Sequence, residues 1–302
     1  MARSLREPDD LDEALWQTRL RAATRDLRGA RTMRAALKQV ERVATRREPT
    51  LRAVAGERAL WEAARIVVFP GSFNPLTHAH TGLVETALAA GYDAALWLLA
   101  VASVDKERVE RAALPDRVAQ MRAYVRGSRG HALALTNRGL YYEQARLLRR
   151  RFKSAEVSLL IGFDKVTQIF DARYYDDRDA ALSALFASAR LLVAPRDGAG
   201  CAELAALLGR RENKRFAERV TYLDAPARFA DDSSTRARML AANGADVASL
   251  RDLPPEAVAL IETGAYTAEP HARGSVDRYA RRLAWLRGLP DAASDAYDER
   301  RA

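Results

Sequence analysis

Arg65-Ile66-Val67-Val68-Phe69-Pro70-Gly71-Ser72-Phe73-Asn74-Pro75-Leu76-Thr77-His78-Ala79-His80-Thr81-Gly82 is the stretch on which the reading of this chain turns. It opens with an apolar, largely β-branched run, 66–69, of the kind that forms a buried strand. Pro70, Gly71, Ser72, Asn74 and Pro75 then supply turn chemistry. Thr77, His78 and His80 stand at the start of a helix that continues through Leu83, Val84, Ala87 and Leu88. A strand that feeds a turn and then a helix N-terminus makes an anion site, because backbone N–H groups and the positive end of the helix dipole converge there.

The same alternation continues outward. Apolar runs at 94–101, 132–135, 157–162, 190–194 and 220–223 read as strands, with helical patterns at 78–90, 115–126, 141–150, 165–170 with 178–187, and 201–208. Strands alternating with helices at this spacing predict an α/β fold with a doubly wound parallel sheet. Ligands are then expected beyond the carboxyl ends of the strands, where Pro70 to His80 falls. Residues 1–60 are expected to form a helical N-terminal extension. In it Leu11, Leu15, Leu20, Leu27, Met33, Leu37, Val40 and Val43 recur at helical spacing, with breaks at Gly29 and Thr50. That pattern leaves open whether the extension packs on the domain at 61–268 or on a second copy of the chain in a homo-oligomer. Residues 269–302 carry one more amphipathic pattern (Val276, Tyr279, Leu283, Leu286) and a charged tail.

The composition narrows the function classes. The 302 residues carry a net charge of +9, yet only five of the 49 basic residues are lysine, so codon bias explains part of the excess and a phosphate-rich substrate another part. Nucleic-acid binding is not expected. The single cysteine, Cys201, excludes an internal disulfide framework and a cysteine-based zinc site. No run of about 18 apolar residues predicts a membrane span. The opening MARSLREPDDLDEALW has no apolar core of the secretory type, so a cytoplasmic location is expected.

Two motifs carry a resemblance. Gly71-Ser72-Phe73-Asn74-Pro75, Thr77 and His80 resemble the GSFNP-x-[HT]-x-G-H signature of the (H/T)xGH nucleotidylyltransferase superfamily, with Ala79 in the place of the family's glycine. About 150 residues downstream, Ser233-Ser234-Thr235-Arg236-Ala237-Arg238 resembles its SSTxxR element. Val247, Leu250, Pro254, Val258, Ile261 and Tyr266 match the element that follows in nucleotide-adenylating members. Leu114, Arg117 and Met121 are similar to the L-x-x-x-x-R-x-x-M helix of pyridine-nucleotide members, and Gly162-Phe163-Asp164 to their G-[AF]-D. The continuation through Ile169, Asp171, Tyr174 and Tyr175 looks most like the nicotinamide-mononucleotide adenylyltransferase-like branch. That branch has threonine where this chain has Lys165, and lysine where it has Arg173. The resemblance spans about residues 65–266.

The resemblance implies a Rossmann-like nucleotidylyltransferase domain that transfers the adenylyl group of ATP, with Mg²⁺, to nicotinamide or nicotinate mononucleotide and releases pyrophosphate. Such a reaction needs alignment and charge stabilisation, not covalent chemistry. His80 is the expected ligand of the α-phosphate, with Thr77 supplying a hydroxyl at the helix start. Gly71, Ser72 and Phe73 would offer backbone N–H groups to phosphate. Ser233, Ser234 and Thr235 would cap a helix that holds the β- and γ-phosphates, with Arg238 adding charge. Lys106 is expected on the substrate phosphate, Asp164 on the ribose or base side, Arg196 near the adenine or ribose, and Tyr174 or Tyr175 stacked on the pyridine. Transfer to another acceptor, such as phosphopantetheine or a sugar or alcohol phosphate, would retain Thr77, His80 and Arg238 but not the stacking residues. A nucleotide-sensing module without turnover is the third reading; Ala79 and the Asp231–Asp232 pair favour it.

Overall fold

The computed structural model of the chain describes residues 13–101, 112–196, 198–226, 229, 233–244, 246, 248–266 and 278–288. Seven strands form one sheet: β1 (Leu51–Ala55), β2 (Arg65–Pro70), β3 (Ala94–Ala100), β4 (His131–Thr136), β5 (Glu156–Gly162), β6 (Arg190–Ala194) and β7 (Val220–Tyr222). Their order is β1-β4-β3-β2-β5-β6-β7. Every pair from β4 across to β7 is parallel, and β1 joins β4 antiparallel. The chain winds outward from β2 through β3 to β4, then starts again at β5 and winds the other way to β7. The reversal lies between β2 and β5, and the crevice above their carboxyl ends is where a doubly wound fold places its ligand.

The sheet is buried on both faces, so its strands read as continuous apolar runs. Alternate residues serve opposite cores: Val67, Trp97 and Leu99 belong to one layer, Ile66, Val68, Leu96 and Leu98 to the other. The first layer contains α1 (Glu13–Arg28), α2 (Ala30–Ala44), α3 (His78–Ala89), α4 (Leu114–Arg126), α9 (Ser234–Ala242), α10 (Pro255–Glu262) and α11 (Arg278–Gly288). The second contains α5 (Tyr141–Arg151), α6 (Phe163–Ile169), α7 (Arg178–Ser188) and α8 (Cys201–Gly209).

The N-terminal helices pack on the domain. α1 lies against α10 and α4, and α2 against α4. Trp16, Leu20, Ala23 and Leu27 form the buried stripe of α1. The spacing of these four sets the helix phase, which turns Leu15 outward and corrects its assignment to the apolar face. Arg19 bridges to the buried Glu256 of α10 at 2.9 Å. The break at Gly29 is as expected. The helical extension expected over residues 1–60, with its break at Thr50, is corrected just beyond that break: 51–55 form the edge strand β1, with a bulge opposite β4. Its pairing is non-local and half-exposed, so no apolar run announces it. Asn137 fixes its approach, accepting from the Thr50 N–H at 2.8 Å and donating to the carbonyls of Arg46 and Glu48. Among the described residues no helix is long and apolar enough to cross a membrane.

Candidate active site

A cleft of about 1030 Å³ opens over the carboxyl ends of the central strands. Gly71, Ser72, His80, Asp164, Tyr174, Tyr175, Arg196, Ser233, Ser234, Thr235 and Arg238 all line it, so the structure gathers eleven of the residues singled out in the sequence into one place. Phe73 and Thr77 lie buried beneath the surface. Lys106 falls outside the described residues, as do Asp231 and Asp232.

The centre of the cleft is the start of α3. Thr77 is the N-cap and His80 takes the N3 place that glutamate holds in an ordinary capping box. The Thr77 N–H donates to His80 Nδ1 at 3.1 Å, and the Thr77 hydroxyl lies 3.0 Å from the same nitrogen. With Nδ1 accepting, the neutral imidazole carries its proton on Nε2, a donor suited to a phosphoryl oxygen. Phe73 meets the ring edge-on at a centroid distance of 5.4 Å, and Phe69 packs at 5.7 Å. Both phenylalanines rest on Trp97. The histidine is therefore half-buried with its orientation fixed from two directions. The Thr77 hydroxyl stands at the helix start, as expected, and there it lies against the imidazole.

Ahead of α3, the turn is held from outside. Four consecutive carbonyls accept hydrogen bonds from side chains: Ser72 from Arg117 Nη1 at 2.9 Å, Phe73 from Gln120 Nε2 at 3.0 Å, Asn74 from Arg238 Nη1 at 2.8 Å and Pro75 from the Ser234 hydroxyl at 2.7 Å. The Gln120 carbonyl in turn accepts from the Leu76 N–H, and the buried Tyr266 hydroxyl donates to Asn74 Oδ1 at 2.8 Å. Burial raises the Tyr266 phenol well above its ordinary pKa, so it remains a donor. Carbonyls that would repel an anion are thereby tied to donors. The two motifs, far apart in sequence, are hydrogen-bonded to each other.

Three expected roles change in detail. The Gly71 N–H donates to the Leu98 carbonyl at 3.0 Å, extending the β2–β3 ladder, so it does not face phosphate. Gly71 is needed for another reason: a Cβ there would lie 2.7 Å from the Phe73 ring. The Ser234 hydroxyl and the Arg238 guanidinium hold the turn, Arg238 Nη2 also reaching Thr235 Oγ1 at 3.0 Å. Ser233 caps α9, accepting from the Arg236 N–H. Ala79 sits in the first helical turn of α3, buried, and its backbone has no positive φ, so the methyl is accommodated there.

The opposite side comes from the segment after β5. Asp164, Lys165, Gln168, Tyr174 and Tyr175 line the cleft. Burial pushes the Tyr175 phenol up to about 12, against the pull of Arg178, so its ring stays neutral over any working pH. Arg173 turns to Asp171, at 2.6 Å, and holds that carboxyl below its usual range. Phe229 closes the cleft near Ala79 and Leu83 and rests on Gly82, whose missing Cβ would lie 2.0 Å from the ring. Sequence reading overlooked Phe229, and the only signal was a glycine inside a helical pattern. It overlooked Gln120 as well, for which there was no signal.

The strand order defines the class as a doubly wound α/β fold, and the two motifs joined over its cleft resemble those of the nucleotidylyltransferase superfamily. More narrowly, the chain is similar to a protein of Gloeobacter violaceus named a probable nicotinate-nucleotide adenylyltransferase. The two are 29% identical over 220 residues, which is 70% of this chain and 96% of the relative. A solved structure from Vibrio parahaemolyticus, provisionally named a nicotinate-nucleotide adenylyltransferase, aligns with a TM-score of 0.40 and 16% identity over 68% of this chain and 96% of that one. No family model matches the chain.

Proposed function

We propose that the chain is an adenylyltransferase that joins ATP to nicotinate or nicotinamide mononucleotide and releases pyrophosphate. The observation that carries this reading is the pairing of His80, oriented by Thr77, with the Ser233–Arg238 helix start that is hydrogen-bonded to its turn. The relative's name points the same way. In the proposed reaction the acceptor's phosphate oxygen attacks the α-phosphorus of ATP in line, the bond to the β-phosphate oxygen breaks, and pyrophosphate leaves. His80 would donate its Nε2–H to an α-phosphate oxygen as charge builds. The first-turn N–H groups of α3 and α9 would hold the flanking phosphates. Magnesium would enter as part of the substrate, carried on the triphosphate. Tyr174 and Tyr175 would give the pyridine ring an aromatic face.

The test is product identification. The protein is incubated with ATP, Mg²⁺ and, separately, nicotinate mononucleotide, nicotinamide mononucleotide and phosphopantetheine, and the products are resolved by chromatography. A dinucleotide from either pyridine acceptor is the expected result. Adenylylation of phosphopantetheine alone would replace the acceptor in this reading, and no product from any acceptor would contradict it.

A further inference from the structure

We propose that Lys165 selects the acid form of the acceptor, pairing its ammonium with the carboxylate of nicotinate mononucleotide; this rests on the reaction proposed above. Four described cations line the cleft: Arg117, Lys165, Arg196 and Arg238. Arg117 and Arg238 hold carbonyls of the motif turn. Lys165 is held more loosely, donating to Gln168 Oε1 at 3.3 Å and standing 3.9 Å from Asp164 Oδ2 with its side chain 41% exposed. It lies in the first turn of α6, on the same short stretch of chain as Tyr174 and Tyr175.

The chemistry of that stretch decides what the ammonium meets. In the proposed reaction the triphosphate would meet its donors across the cleft, at the starts of α3 and α9 and at His80. The α6 side offers flat aromatic rings, and a ring bound on them brings its own substituent to the polar side chains nearby. A neutral carboxamide is served by Gln168, which both donates and accepts. A carboxylate only accepts: it can take the Gln168 N–H, but the Asp164 carboxylate beside it repels it, and that repulsion is offset by a neighbouring cation. Lys165 supplies it on a flexible stem, and a charge-assisted hydrogen bond in a partly desolvated cleft discriminates strongly between an anion and its neutral isostere.

The experiment compares kcat/KM for nicotinate and nicotinamide mononucleotide in the wild type, K165Q and K165R. The wild type should favour the acid. K165Q should lose on the order of 10- to 100-fold toward the acid, the range of a charged hydrogen bond, chiefly through KM. Its loss toward the amide should be several-fold smaller, so that the acid-to-amide ratio falls, and K165R should keep most of the acid preference. An equal loss on both acceptors would place Lys165 on a group they share, such as the phosphate, and overturn the assignment. So would a wild type that prefers the amide, or an active K165Q with unchanged preference. A wild type that turns over neither acceptor would overturn the reaction itself, and this assignment with it.

Discussion

At the scale of single residues, the account rests on one imidazole and what holds it. His80→Ala should lower kcat by roughly 10²–10³-fold, the usual loss of a donor to developing charge, with an unchanged circular dichroism spectrum. Thr77→Val keeps the backbone N–H bond to Nδ1 and removes the N-cap hydroxyl beside it, so turnover should fall about tenfold while a denaturant melt registers a loss of about 1 kcal/mol. Tyr266→Phe leaves Asn74 Oδ1 without its buried donor. Denaturant melts should register a loss of about 1–3 kcal/mol. The places of His80 and of Ser233 to Thr235 at two helix starts were legible in the sequence, because each motif is contiguous. The four latches on the turn were not. They join residues 45, 47, 159 and 164 positions apart, and no local pattern encodes such a pairing.

Among the elements, the strands and helices of the α/β region were legible because burial on both faces leaves continuous apolar strands, and helices between them keep a 3.6 period. β1 escaped because an antiparallel edge strand of five residues is specified by its partner β4 and by Asn137, not by its own composition. The N-terminal helices were legible as helices, but their docking on α4 and α10 was not, since an apolar stripe does not name its partner. That docking is now testable. Leu37 is buried at the contact of α2, and Leu37→Ala should cost about 2–5 kcal/mol in a chemical melt, the range for a large-to-small change in a packed core. A cost below 1 kcal/mol would mean that the extension does not pack on the domain in solution.

For the whole molecule, the sheet's reversal between β2 and β5 places two motifs and one aromatic wall around a single cleft. A nucleotide bound there touches both layers of the fold and should stabilise it as a unit. A non-hydrolysable ATP analogue at 100 times its dissociation constant should add about 2.7 kcal/mol to unfolding stability, read as one cooperative shift. The most direct measurement is pyrophosphate release with ATP and Mg²⁺, followed with and without a pyridine mononucleotide, for the wild type and His80→Ala. The account predicts release that requires the acceptor and nearly vanishes in the variant. Release without acceptor, or a variant as fast as the wild type, would contradict it.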